Sequence, residues 1–303
     1  MNIIRPVAMT DAVLTASNVA ENDYPLWSNT KTDYGTGDKV MLTDDGTHSV
    51  YVSLMGGEVN KNPLNDDLRN PVYWARESAT NRWAMFSDQI NDQTEQPEFI
   101  EIELTSGSII NSLAMFNLVA ASVEITVTSA SAGIVFDQEY TMVDNAGIDN
   151  IYDWHFEPIV LQKTLAVIDL PPYSDTTVKI KIIKEGDMAK CGLITFGYLK
   201  NLGVTNNGTT IGTTDYSQKV RDVFGNPIII KRNNAKRANY KITVPTGSVE
   251  VVQNTLDELL TIPVAWIGSI DFPSTVIYGL YDDFDIDIQQ TVSDFTLQVN
   301  GLT

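Results

Sequence analysis

Cysteine and histidine are nearly absent from this chain of 303 residues. Its one cysteine, Cys191, excludes an intrachain disulfide, so the fold requires no oxidising compartment. One cysteine also excludes the paired Cys/His spacing of structural zinc sites. With His48 and His155 as its imidazoles, the chain has little material for a Ser-His-Asp or Cys-His centre. The apolar string after Cys191 predicts a buried thiol, and His155, in an aromatic segment, is predicted to be a packed strand residue.

Positive charge is scarce as well. The chain has 20 Lys and Arg against 39 Asp and Glu, a net charge of −19. Because binding to nucleic acid or to an anionic membrane needs a basic face, neither is expected as a partner. No apolar run approaches the roughly 20 residues that span a bilayer, and Asp11 interrupts the first apolar stretch before a secretory signal core can form. We expect folding in a cytoplasm without membrane insertion.

Catalytic and cofactor motifs are also missing. The Gly-containing loop 206–212 lacks the Gly-Lys-Ser/Thr of a phosphate loop. Asp283, Asp285 and Asp287 alternate with apolar residues, which predicts a solvated strand face. The loop 144–150 has more of the oxygen-rich character that calcium prefers, and whether it binds calcium is left open. We predict no enzymatic activity, no catalytic residues, no metal ligands and no cofactor.

An aromatic cluster stands out against these absences. Residues 27–86 hold three of the five tryptophans, with turn residues between them too frequent for helices. This pattern predicts a small β module over 23–90 with an aromatic core, in which Trp83 packs with Tyr34 and with Met85 or Phe86. A flat ring that stays exposed can instead stack on a sugar. The candidate ligand-binding residues are therefore Trp27, Tyr51, Trp74 and Trp83.

The aromatic spacing resembles the chitin-binding type of small carbohydrate-binding module. In that family exposed aromatics follow the tyrosine that matches Tyr51, whereas this chain has Leu54 and Met55 there. The string 81–86, Asn-Arg-Trp-Ala-Met-Phe, resembles modules of structural proteins from tailed bacteriophages. The two resemblances imply glycan recognition in one case and a structural role in a virion in the other.

The chain as a whole is predicted to be mainly β. Residues 1–22 are expected to form an arm with a helix over 7–21, and a linker is expected over 91–97, after the aromatic module. Residues 98–200 alternate strand-like segments with turns, which predicts a β-sandwich. The order of these segments resembles a galactose-binding-type jelly roll.

Residues 201–303 predict an α+β assembly unit, in which a helix that begins near Val249 covers several strands. The string 278–284, Tyr-Gly-Leu-Tyr-Asp-Asp-Phe, resembles C-terminal regions of phage tail proteins. The phage resemblances imply a structural component of a tail or baseplate, assembled in the host cytoplasm and carried in the virion. Its partners would be copies of itself and other virion proteins. The alternative is a carbohydrate-binding adhesin that recognises a host-surface glycan.

A basic segment lies within this acidic chain. Between Lys219 and Lys241 there are seven basic residues and one acid, a net +6, so the remainder of the −19 chain carries −25. Opposite charge on a neighbouring copy can steer assembly. The predicted assembly contacts are Lys231, Arg232, Lys236 and Arg237. The alternative is that these side chains are solvated around a hairpin.

Overall fold

The computed structural model describes residues 1–56, 61–144, 150–156, 158, 160–221 and 224–302. These residues form a mainly β protein, as predicted, with antiparallel sheets that enclose separate apolar cores. The loop 144–150, for which calcium binding was left open, falls mostly outside the described residues.

Strands dominate the order of elements along the chain. They are β1 (Asn2–Pro6), β2 (Leu14–Ser17), β3 (Lys39–Leu42), β4 (Ser49–Ser53), β5 (Trp74–Ala79), β6 (Thr94–Thr105), β7 (Ser112–Phe116), β8 (Ser122–Ser129), β9 (Gly133–Thr141), β10 (Val143–Asp144), β11 (Val160–Leu161), β12 (Thr164–Val167), β13 (Thr176–Cys191), β14 (Leu193–Asn201), β15 (Val204–Thr205), β16 (Thr210–Asp215), β17 (Gln218–Arg221), β18 (Pro227–Ile230), β19 (Asn234–Pro245), β20 (Val264–Ile267), β21 (Val276–Asp287) and β22 (Val292–Gly301). The helices are α1 (Asn81–Ala84), α2 (Ile151–Phe156) and α3 (Val249–Glu258).

Two sheets pack face to face in the middle of the chain. One has the strand order β2-β6-β13-β8-β9. It packs on β12, β7 and β14 of a larger sheet, and a single apolar cluster takes Ile102 and Ile180 from the first sheet and Leu113 from the second. In β13, Val178, Ile180 and Ile182 are buried and the residues between them are not, which is the predicted alternation. These layers are the predicted β-sandwich.

β1 joins the sandwich to the C-terminal unit. It pairs with β14 on one side and β20 on the other, so the larger sheet runs β12-β7-β14-β1-β20-β21-β22-β19-β15, with β16 also paired to β19. Gly197 permits the close approach, because a Cβ there would lie 1.9 Å from the Arg5 carbonyl oxygen. The neighbouring residues Ile3 and Ile4 point to opposite faces and belong to different cores. The predicted boundary at residue 200 is therefore not a break in the sheet.

α3 covers one face of the C-terminal part of this sheet. Val249, Val252 and Leu256 recur at three- and four-residue spacing and are buried against β19 to β22. The Tyr281 hydroxyl, on β21, donates to the Leu256 carbonyl oxygen at 2.9 Å. The predicted combination of a helix with several strands is confirmed.

The aromatic module is a three-stranded antiparallel sheet, β3-β4-β5. Its core consists of Tyr34, Val40, Leu42, Tyr51 and Trp74. α1 then leads into the sandwich, where Met85 is buried in the main core and its carbonyl oxygen accepts from the Ile194 N–H at 2.7 Å. The module is thus attached to the sandwich through the string 81–86.

The helix predicted over 7–21 is wrong. That segment contains β2, which pairs with β6, and Val13 and Val19 are buried in the sandwich core. Pairing with an available strand edge outweighs a weak helical pattern. The predicted linker 91–97 is also partly wrong, because residues 94–97 belong to β6 and pair with residues 188–191 of β13.

The aromatic segment around His155 is helical rather than extended. It forms α2, in which the Tyr152 and Phe156 rings lie 4.6 Å apart. Residues four apart are neighbours on a helix, so this ring contact stabilises the helical conformation. His155 is exposed, so the prediction that it packs in a core is wrong.

Candidate assembly surface

A β-hairpin arm extends from the edge of the large sheet. It comprises β17 and β18, which form a two-stranded sheet of their own. The arm continues from β16 and β19, and the Arg232 N–H donates to the Ser217 hydroxyl at 3.1 Å where the strand pairs meet. Hydrogen bonds from Ser217 and the neighbouring Lys219 lower the pKa of Asp215, at the base of the arm, to about 2. A two-stranded hairpin by itself is marginally stable in water.

The two faces of the arm differ in character. Val220 lies opposite Ile228 and Gln218 opposite Ile230, so Val220, Ile228 and Ile230 share one face. The other face carries Lys219, Arg221 and Ile229. Ile228, Ile229 and Ile230 are 48%, 59% and 49% exposed, and no apolar cluster of the described residues includes them. The arm therefore presents apolar area that the described part of its chain leaves uncovered.

The four predicted assembly residues occupy two places. Lys231 and Arg232 lie at the start of the return connection from β18 to β19, whereas Lys236 and Arg237 lie on β19 itself. All four are exposed, and none forms an ion pair with a described residue. Lys231 and Arg232 therefore belong to the arm, together with Arg221.

Lys236 lines a separate cavity of about 240 Å³ together with Lys163, Asn234, Phe116 and Tyr278. Although Lys236 is exposed as a whole residue, desolvation of its amino group lowers its pKa, with a smaller effect from Lys163. The cavity lies on the body of the protein, so Lys236 is not part of the arm surface.

An acidic groove lies on the strands β19, β21 and β22 of the large sheet. Its volume is about 500 Å³, and it is lined by Asn206, Asn207, Lys241, Ile242, Asp285, Ile286, Asp287, Asp294, Phe295 and Thr296. Asp287 stands directly opposite Asp294 across the β21–β22 pair, and like charges in that position destabilise a sheet. Neither carboxylate, nor Asp283 or Asp285, forms an ion pair with any described residue. As predicted, the alternating acids of β21 are exposed.

The arm and the acidic groove lie at opposite ends of these strands. β19 begins next to the arm, at Asn234. Its residue Thr243 pairs with Asp294, which lines the groove. Nine residues of extended strand separate these points by roughly 30 Å. The groove of one copy is therefore out of reach of the arm of that copy.

Two of the four candidate sugar-binding rings are buried in the core of the aromatic module. Tyr51 and Trp74 are 3% and 1% exposed, and Trp74 meets the edge of the Tyr34 ring at 5.1 Å. A sugar cannot stack on a buried ring, so these two are core residues and not ligand platforms. Trp27 and Trp83 keep partial exposure, and their role in ligand binding stays a prediction.

Trp83 packs against Phe86, as predicted, but not against Tyr34. Its ring stacks on His48 at 4.1 Å and touches the edge of Phe86, whereas Tyr34 belongs to the separate module core.

His48 is nearly buried and bridges two carboxylates: Nδ1 lies 2.8 Å from Glu21 Oε1, and Nε2 lies 2.7 Å from Asp11 Oδ1. This cluster fixes the N-terminal segment on the module, which sequence reasoning did not find because its members lie far apart in the chain.

The described residues present no cluster of metal-binding side chains. Among them, no three His, Cys, Asp or Glu side chains lie together as metal ligands would. Cys191 is buried, as predicted, and this burial raises the pKa of its thiol, which disfavours the nucleophilic thiolate.

No helix in the described part of the chain has the length and apolar character required to cross a membrane.

Comparison with known proteins adds no family to these observations. No family model matches the sequence, and no curated protein is significantly similar to it. The geometry of the arm and the acidic groove therefore carries the functional argument.

Proposed function

We propose that this protein is a structural component of a bacteriophage tail or baseplate, which assembles with copies of itself and with neighbouring virion proteins. The observation that carries the proposal is the arm, with three consecutive isoleucines each about half exposed. Contiguous exposed apolar area of this kind marks a protein interaction surface. The cations Arg221, Lys231 and Arg232, which form no ion pair with a described residue, add directional charge to it.

The strings that resemble phage proteins have structural roles in this fold, which supports the proposal. Residues 81–86 attach the aromatic module to the sandwich through Met85. In the string 278–284, Tyr278 donates a 2.6 Å hydrogen bond to Asp88, and Tyr281 holds α3. Both strings therefore connect parts of the molecule.

Purified particles provide the test. If the protein is a virion component, peptides from it should be found in mass spectra of gradient-purified phage particles, and gold-labelled antibodies should mark the tail or baseplate. Detection only in the soluble fraction of the lysate, with particles free of the protein, would contradict the proposal.

Glycan binding is the second candidate function, because Trp27 and Trp83 keep partial exposure in a module that resembles a carbohydrate-binding module. Calorimetric titration with chitin oligosaccharides separates the two functions. Binding that is lost in Trp27→Ala or Trp83→Ala, with unchanged thermal unfolding, would favour the adhesin. No measurable binding is expected from the structural proposal.

A further inference from the structure

We propose that the arm of one copy binds in the acidic groove of the next copy, so that copies associate head to tail. This inference rests on the self-assembly in the proposed function and names its partner: a second copy of this chain. The contact would place Arg221, Lys231 and Arg232 beside Asp285 and Asp287 of the partner copy.

Charge complementarity selects this partner surface. Three arm cations, Arg221, Lys231 and Arg232, form no ion pair with a described residue, whereas Lys219 pairs with Asp215 at the base of the arm. The groove carboxylates form no ion pair with a described residue either. Lys241 lies in the groove but forms no ion pair with the described carboxylates. Opposite potentials across an interface set its orientation and register. A cation inserted between Asp287 and Asp294 would also relieve their mutual repulsion.

The apolar residues are complementary as well. The groove includes the partly buried Ile286 among its lining residues. Ile288 and Val292 are exposed where β21 turns into β22. The Val220, Ile228 and Ile230 face of the arm would cover this area and remove its apolar surface from water. A charged contact around an apolar centre is the usual composition of a specific interface.

The positions of the two surfaces determine the symmetry. They are different patches at opposite ends of the same strands, so their contact is heterologous. A heterologous contact that repeats closes into a ring or continues as a filament. A two-fold dimer through the same arm face on both copies is not expected from this arrangement.

The experiment uses two charge-reversal variants of the full chain. The arm variant carries Arg221→Glu, Lys231→Glu and Arg232→Glu, and the groove variant carries Asp285→Lys, Asp287→Lys and Asp294→Lys. Each is expected to raise the dissociation constant for self-association by at least about tenfold in sedimentation velocity. An equimolar mixture of the two should associate again, because each altered arm then meets a groove of opposite charge.

A matched control separates this contact from a general charge effect. Lys31→Glu, Lys61→Glu and Arg69→Glu change the net charge as much as the arm variant, at exposed positions on the aromatic module. This control should associate like the unaltered chain. Carbodiimide cross-linking of mixed isotope-labelled and unlabelled chains gives a readout that needs no variant. It should join Lys231 of one copy to the acids of β21 in another.

Three results would overturn the inference: a monomeric chain at about 100 μM, an arm variant that associates normally, or a mixture that fails to recover. The proposed function is tested separately, by whether the particles contain the protein. Particles that contain the protein while the mixture fails to recover would refute only the head-to-tail contact. Particles without the protein, with a recovering mixture, would refute only the virion assignment.

Discussion

Trp74 and Trp83 illustrate how differently two tryptophans of one small module are used. Trp74 is 1% exposed at the centre of the module core, whereas Trp83 lies between His48 and Phe86 with part of its ring in solvent. We expect Trp74→Ala to lower the free energy of unfolding by about 3–5 kcal/mol. Trp83→Ala should cost less, because it removes less buried area. Urea titrations followed by circular dichroism measure both values, and a larger loss for Trp83→Ala would contradict this order.

Cys191 is expected to be inert in the folded protein. Its side chain is buried and burial raises the pKa of the thiol, so the reactive thiolate is rare and inaccessible at neutral pH. Iodoacetamide should modify it only after denaturation, with a rate that increases with urea through the unfolding transition. Rapid stoichiometric alkylation under native conditions would show that β13 opens far more often than its place in the sandwich implies.

At the scale of elements, the arm is expected to be dispensable for folding. β17 and β18 contribute no side chain to a described core. Replacement of residues 217–232 by Asn-Gly, a two-residue turn suited to joining β16 to β19, should leave stability within about 0.5 kcal/mol of the full chain. The same deletion should abolish self-association. A large fall in the melting temperature would place the arm among the structural elements of the body.

Sequence patterns correctly predicted those elements in which the spacing of apolar residues agrees with the burial that the fold gives them. β13 alternates buried and half-buried residues, and α3 repeats its apolar residues on one face, so local pattern and tertiary packing agree. Residues 7–21 and 94–97 were misassigned because their conformation depends on pairing with β6 and β13, which are distant in sequence. The basic segment was recognisable from charge alone. The exposure of Ile228 to Ile230 was not, because three isoleucines equally suit a buried strand.

The whole molecule is expected to unfold its sandwich and C-terminal unit together. β1 lies between β14 and β20, with Ile3 and Ile4 fully buried in cores on opposite faces. Calorimetry should therefore show one transition for both units. Ile3→Ala and Ile4→Ala should each destabilise that transition, by about 2–5 kcal/mol. Two resolved transitions, with each substitution affecting a different one, would show that the units are energetically independent.

The position of β1 also has a consequence for synthesis on the ribosome. Its sheet neighbours are residues 197–201 and 265–267, so residues 2–6 are synthesised long before both of their edges can be paired. Contacts between such distant residues slow folding, and unpaired strand edges promote aggregation in the interval. A nascent chain stalled before β20 should therefore recruit chaperones and remain protease-sensitive. Among the described strands, β1 thus has the longest interval between its synthesis and the pairing of both its edges. The yield of folded protein should therefore depend on translation rate and chaperone supply more strongly than the stability of the finished protein suggests.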